Sequence, residues 1–454
     1  MRQLLFIALA LFPLACGSTD DNFGGVDAGV DSSVKTDGGF TFGDGGGSDA
    51  STGCVNLQCQ VVQCGGGQST TVSGTVVTAT PAQYGAPDPI YNAIVYVPNA
   101  PLDPFPPGVA CDKCGTPVSG NPVALTLSDV KGHFTLKDVP VGTNIPLVVQ
   151  IGRWRRQTTI STVNKCVDNP VDTSLTRIPR DHTEGDIPHI AIATSTFDAE
   201  ECILLKMGVA VSEFTASTGT GRIHLYHGTG ATLPGVQDMS ALWASDKVMD
   251  QYDVALFPCE SVPAIGSSPG AAGQVLLDFL NAGGRAFATD LSYSWYKDGP
   301  APLPSSAQWT TWGGFYDPLP AIIDQSFPKG QALAEWLQYL GETTTQGNID
   351  LHETYHVVDG VNAPTSRWLY STSPATVQTI SFNTPIGKQP ADQCGRAVYS
   401  NFHIANGQSS SGTTFPSACD PNPLTGQEKI MEFMLFDLSS CVQDDTKPPI
   451  PPVN

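Results

Sequence analysis

The sequence is poor in charge, and poorest in positive charge. Only 14% of its 454 residues are charged, against roughly 25% in soluble domains. Lys and Arg number 22 against 43 Asp and Glu, a formal net charge of −21. A chain so short of cations has no electrostatic footprint for a polyphosphate backbone, which excludes nucleic-acid binding as a function class. Long apolar runs are missing too: beyond the N-terminal segment no stretch reaches eighteen uninterrupted apolar residues, so no transmembrane helix is expected. What the chain has instead is 46 Gly and 37 Pro, a composition of many turns and few long, charge-laced helices. Its 40% hydrophobic content is enough to bury a core, and at about 150 residues per domain two or three domains are expected.

Residues 1–15 read MRQLLFIALALFPLA. One Arg precedes an apolar run from Leu4 to Leu14, too short for a membrane core that needs about 20 residues but suited to the apolar region of a signal peptide. Leu14-Ala15-Cys16-Gly17 resembles the lipobox of bacterial lipoproteins, with Pro13 where that motif usually has Leu. The resemblance implies cleavage before Cys16, lipidation of Cys16, and an exported, outer-membrane lipoprotein that meets the membrane through its lipid anchor. Residues 16–53 form an acidic tether, seven Asp against Lys35, which cannot bury enough apolar surface to fold. The spacing of a calcium loop is absent from it.

The chain has 12 Cys. With Cys16 acylated, an odd number remains, and export favours disulfides over thiolate metal sites. Cys54, Cys59 and Cys64 crowd a Cys-rich segment, 54–69. Cys111 and Cys114 form a lone CxxC, without the second pair that a zinc ribbon needs and without the helix start of a redox motif. One thiol is left over, and Cys259, ending a predicted buried strand, is the candidate.

Residues 70–180 read as short alternating strands separated by turns, an all-β sandwich. The pieces VSGTV, NAIVYV, SDVKGHFTLKDVPVG and PLVVQ follow in an order that resembles the carboxypeptidase regulatory-like domain, a transthyretin-like module; the resemblance implies a scaffolding or surface-binding role. A long insertion carrying Cys111 and Cys114 departs from it. Trp154, Arg155 and Arg156 are the densest basic patch, read as a solvated strand face or an anion site.

Residues 186–442 change period. Apolar strands at 187–195, 222–228, 253–259 and 285–292 alternate with helical segments, the pattern of an α/β doubly wound parallel sheet. Asp198 reads as the cap of the first helix, and Ser268, Pro269 and Gly283 as the bounds of another. YDVALFPCES, a helix ending NAGGRAFATD, and the later strand and loop at 395–407, ending SNFHIANG, resemble the class I glutamine-amidotransferase-like fold and its ThuA-like branch. The whole arrangement is similar to paralogous lipoproteins of large-genome soil bacteria. Residues 443–454 read as a disordered tail.

In open α/β sheets ligands bind at the carboxyl ends of the strands. Those ends offer Thr194, Ser195, His227, Cys259, Glu260, Thr289 and Asp290, and His403 and His356 are candidate bases. A thiol hydrolase needs a tight elbow with small residues two before and two after the cysteine; Phe257 fails that test, although His403 is a candidate base. His352-Glu353-Thr354-Tyr355-His356 matches H-E-x-x-H, which on a helix would place His352 and His356 on zinc with Glu353 as base. Flanking β-branched residues favour a strand, and no third ligand follows at the usual spacing. Seven aromatics in 293–316, with Trp295, Trp309 and Trp312 among them, lie past a strand end beside Asp290 and suit a stacking platform for sugar rings. The expected function is therefore a lipid-anchored envelope protein with a non-catalytic binding or structural role, toward polysaccharide or envelope proteins and without a cofactor. The alternative is a hydrolase, through zinc or through Cys259.

Overall fold

The computed structural model describes residues 53–310, 313–404 and 412–453. Cys16, the signal peptide, nearly all of the tether, and Trp312 lie outside the described residues. The chain from Gly53 onward is one compact unit.

The N-terminal third builds two small sheets. Strands β1 (Thr71–Thr75), β2 (Ile94–Pro98), β3 (Pro122–Leu127), β4 (His133–Leu136), β5 (Gly142–Ile151), β6 (Trp154–Val163) and β7 (Asp168–Pro170) form the orders β4-β1-β7 and β3-β2-β5-β6. Alternation along them places Val72, Phe134 and Leu136 of one sheet with Val95, Val97, Ile145, Leu147 and Val149 of the other in one buried cluster. A single-turn helix, α1 (Thr173–Thr176), follows, with Asp172 capping it through Ser174 N–H. The basic patch is structural. Trp154 is buried, and Arg155, itself buried, pairs with Asp186 at 2.8 Å.

The rest of the chain is a mixed α/β unit around a ten-stranded sheet. Its parallel half comprises β8 (Ile190–Ala193), β9 (Phe214–Ala216), β10 (Ile223–Tyr226), β11 (Val254–Phe257), β12 (Arg285–Thr289) and β21 (Gly395–Ser400). Four further strands complete it in antiparallel fashion: β15 (Leu319–Ile323), β16 (Asn348–Leu351), β19 (Ser366–Thr372) and β20 (Ala375–Thr384), in the order β16-β15-β19-β20-β21-β12-β11-β8-β10-β9. The sheet is thus not wholly parallel, as the strand–helix alternation implied. Two short ribbons flank it, β13 (Ala307–Trp309) with β18 (Val358–Val361) and β14 (Phe315–Tyr316) with β17 (Thr354–Tyr355).

The apolar runs of the parallel strands are explained by cover on both faces. Ile190, Ile192, Leu225, Leu256, Phe287 and Val398 point to one side, where helices α2 (Glu200–Lys206), α6 (Pro328–Tyr339) and α7 (Gly426–Ser439) supply Ile203, Leu337 and Met434. Ala191, Ala255, Phe257, Ala288 and Tyr399 point to the other, against Leu276 and Leu280 of α4 (Ala271–Ala282), with the single-turn helices α3 (Asp246–Met249) and α5 (Ser294–Lys297) nearby in the chain. Helix α4 begins later than its Ser-Pro signal implied, after Gly270, but ends at Gly283 as expected, whose left-handed φ of 121° lets its N–H close on Leu280 and Phe279. Helix α7 is buried nearly all round because the small sheets cover its outer side: Tyr91 stacks on Phe433 and Trp154 meets Phe436 edge-on.

Five disulfides close among the described residues: Cys54–Cys59, Cys64–Cys166, Cys111–Cys394, Cys114–Cys441 and Cys202–Cys419. Such bonding belongs to an exported protein in an oxidising compartment. The Cys111 and Cys114 insertion is a tie between the small sheets and the α/β unit. Cys259 is left as a free, buried thiol. No helix among the described residues is long and apolar enough to cross a membrane. Residues 443–453 are not a disordered tail, because Asp445 is buried between Lys329 and Arg396.

Candidate functional site

Strand order reverses at β8, with β10 on one side and β11 on the other, and the carboxyl ends of the parallel strands converge there. Four of them contribute one polar side chain each from the segment beyond the strand end. Asp198 follows β8, Cys259 follows β11, Asp290 follows β12 and His403 follows β21. All four are buried.

Asp198 is the organiser, and the sequence reading misassigned it. The cap position of α2 belongs to Ala199, and the Asp198 carboxylate turns into the site instead. Its Oδ1 accepts from His403 Nδ1 at 3.0 Å and from the Ile404 N–H at 2.8 Å. Its Oδ2 accepts from the Cys259 N–H at 3.2 Å and from the Thr289 hydroxyl. Burial alone would lift its pKa, but the hydrogen bond and charge of His403 outweigh burial and hold it below the ordinary value. Burial likewise opposes charge on His403, yet Asp198 and then Asp290 raise that imidazole to about 9. The pair is an imidazolium–carboxylate pair at neutral pH.

Asp290 stands between the thiol and the imidazole. Its Oδ2 accepts from Cys259 Sγ at 3.0 Å and lies 3.4 Å from His403 Nε2. Its Oδ1 is buried without a partner, and its backbone takes a left-handed φ of 39°. Burial, opposed by His403, pushes its carboxyl up to about 6. Burial and then the Asp290 charge push the Cys259 thiol far above its usual range. Tyr399 closes the floor, its hydroxyl donating to the Asp290 carbonyl at 3.0 Å or to Asn401 Oδ1 at 2.9 Å.

An aromatic rim surrounds His403. Phe197 stacks on its ring at 5.8 Å and is 41% exposed, while Tyr355 meets it edge-on at 5.5 Å. Neither residue carried a sequence signal beyond its type, because each reaches the site from a different element. Tyr355 belongs to the HETYH segment, which forms β17 rather than a helix. Its N–H donates to Asn401 O at 2.8 Å, and Glu353, at φ 49°, offers its carbonyl to the His403 N–H at 3.1 Å. His352 turns to Asp317 and His356 to Asp359, each at 2.7 Å. The two imidazoles thus address separate carboxylates, and the helical zinc geometry of H-E-x-x-H is not formed.

The sugar-stacking platform does not survive in its expected form. Trp295 is fully buried, its indole N–H donating to Ser261 O at 2.6 Å while its ring packs on Trp243 and Phe257. Trp309 is half-buried against Tyr399. The insertion thus buries Tyr293, Trp295 and Tyr296 over the sheet, while Phe315 stays 53% exposed. Replacing Trp295 with Phe is expected to cost about 1–3 kcal/mol by orphaning the Ser261 carbonyl. Denaturation midpoints check this, and a variant of wild-type stability would reverse the assignment.

No family model matches the chain, and no curated protein matches it. Solved structures do. A ThuA-like protein from Bacteroides uniformis aligns over 49% of this chain and 81% of its own, at 10% identity and TM-score 0.25. A cytoplasmic protein from Salmonella typhimurium aligns over 57% of this chain and 100% of its own, at 8% identity and TM-score 0.30. A GH42 β-galactosidase aligns over 59% of this chain and 32% of its own, at 10% identity and TM-score 0.26. At these scores none establishes a shared fold.

Proposed function

We propose that this is a lipid-anchored cell-envelope protein with a non-catalytic binding or structural role, whose α/β unit is an amidotransferase-like fold without working thiol chemistry and whose small sheets form a carboxypeptidase regulatory-like scaffold. The observation that carries the reading is the placement of Cys259. Its side chain is 2% exposed, its Sγ donates to Asp290, and that carboxylate lies beside the imidazole nitrogen a nucleophile would need. The left-handed residue at this turn is Glu260 (φ 67°), one after the cysteine, so the thiol is not presented on the strained elbow that exposes a nucleophile. The lipobox resemblance at Cys16 and the five disulfides support the envelope location.

The test uses the mature chain and a Cys16→Ser variant. Wild-type protein should partition into detergent and carry labelled fatty acid, and Cys16→Ser should do neither. In Cys16→Ser, a maleimide reagent should leave the native protein unlabelled and modify one thiol per chain after denaturation without reductant. Rapid native labelling at Cys259, with ester or amide turnover lost on the same modification, would overturn the non-catalytic reading.

A further inference from the structure

The cluster is short of positive charge. Asp198 and Asp290 both face the single imidazole of His403, and Asp290 Oδ1 is buried with no partner. Burying carboxylates unpaired is costly, so a site of this kind either protonates them or takes up a cation. Three donors of different chemistry are already gathered: an Asp198 oxygen, Cys259 Sγ and a His403 ring nitrogen all lie within 4.8 Å of one another. Asp290 Oδ2 lies 3.0 Å from the sulfur and 3.4 Å from His403 Nε2.

We propose that Cys259, Asp290 and His403 bind one divalent soft-to-borderline metal ion, zinc above all, with Asp198 as the residue that orients the imidazole. The assignment of roles follows from which oxygens are free. Both Asp198 oxygens are saturated, by His403 Nδ1 and the Ile404 N–H on one and by the Cys259 N–H and Thr289 on the other. Asp290 Oδ1, in a side chain only 2% exposed, has no partner at all. A carboxylate on Nδ1 leaves Nε2 as the ligand atom, the arrangement that fixes ring orientation in zinc sites. Thiolate, imidazole and carboxylate together favour zinc over calcium or magnesium, which take oxygen. In a tetrahedral site with bonds of about 2.0–2.3 Å the donor atoms stand about 3.3–3.5 Å apart, close to the 3.0 and 3.4 Å that separate Asp290 Oδ2 from the sulfur and from His403 Nε2. Binding releases the thiol proton and the imidazolium proton to solvent, so the ion replaces two protons and the Sγ–Asp290 hydrogen bond is exchanged for metal bonds. The inference rests on the non-catalytic reading for the ion's role: in so closed a cluster it is a structural ion tying the ends of β11, β12 and β21.

Expression in zinc- or cobalt-supplemented medium, followed by elemental analysis of the purified, oxidised mature chain, tests it. One metal per chain is expected, and the cobalt form should show a thiolate-to-cobalt charge-transfer band in the near ultraviolet. Cys259→Ser should abolish the band and bring the metal content to background, as should Asp290→Asn. Asp198→Asn should weaken binding by roughly 10–100-fold. A His352→Ala/His356→Ala double variant should retain the full complement. Metal-free wild-type protein, or a Cys259→Ser variant with its metal intact, would overturn the proposal, and the wild-type stoichiometry and band decide it even if a variant fails to fold. Thiol-dependent turnover by protein stripped of metal would instead sink the non-catalytic reading without touching the metal count.

Discussion

Arg396→Met is expected to destabilise the protein by about 3–5 kcal/mol, the usual cost of stripping one partner from a buried ion network. Arg396 on β21 is 1% exposed and meets Asp437 of α7 at 2.7 Å and Asp445 of the C-terminal segment at 2.8 Å. Lys329 of α6, 2% exposed, meets the same two carboxylates at 2.7 and 2.9 Å. Two cations and two anions make a neutral quartet, and removing Arg396 leaves two buried carboxylates sharing one ammonium. A double variant, Arg396→Met/Asp445→Leu, restores neutrality around the Lys329–Asp437 pair and should recover much of the loss. If the single variant matched wild type in its denaturation midpoint, the quartet would have no bearing on stability.

The same quartet sets an acid limb. Burial would raise the Asp445 carboxyl, but Arg396 and Lys329 outweigh it and hold it well below the usual carboxylate range. A carboxyl depressed in the folded state contributes stability that is fully present above its unfolded pKa of about 4 and is lost as pH falls toward the folded value. Stability should therefore hold near neutrality and fall below about pH 4. Asp445→Asn should be less stable at pH 7 and show a shallower acid limb. Denaturation midpoints across pH read both features.

How far the sequence revealed this molecule depends on where each element is buried. Strands β8, β11 and β12 were legible because cover on both faces demands unbroken apolar text, as in IAIA and VALF. The antiparallel half was not. Strand β20 buries Gln378, Thr379 and Ser381 beside Val377 and Ile380, which erases both the apolar run and the alternation that marks a strand. The C-terminal segment read as a tail because its one buried charge, Asp445, is held by residues 49 and 116 positions away. At the site, Cys259 and Asp290 were legible as strand-end residues and His403 as a candidate base, but not as neighbours. Asp198 was hidden by a sound local reading: an Asp before two acids and an apolar run is how a helix start is written. Its true partner lies 205 residues on, and one-dimensional spacing carries no information about that pairing. The HETYH match failed for the complementary reason, a motif whose chemistry requires a helix set in a segment that pairs as a strand.

Removing the two disulfides of longest range, by Cys111→Ser/Cys394→Ser together with Cys114→Ser/Cys441→Ser, is expected to cost about 8–9 kcal/mol. Cys111–Cys394 closes a separation of 283 residues and Cys114–Cys441 one of 327, so each restrains the unfolded chain over most of its length. Their closure entropies add in large part, because once one bond is made the other still closes a loop of about 50 residues, worth about 4 kcal/mol. Removing either pair alone should therefore cost about 4 kcal/mol, and the fourfold variant about twice that. In the folded state the two bonds pin the 111–114 loop to α/β residues, where Lys113 and Cys114 also pair with Val442. The buried Arg153–Asp253 pair and the Arg155–Asp186 pair join the same faces without a covalent link. The small sheets should consequently stay docked in the fourfold variant at neutral pH but undock first under denaturant. Limited proteolysis, with cleavage rising in the 101–121 insertion ahead of global unfolding, is the expected signature. A fourfold variant no less stable than either single-pair variant would instead mean that the second bond adds no restraint to the unfolded chain.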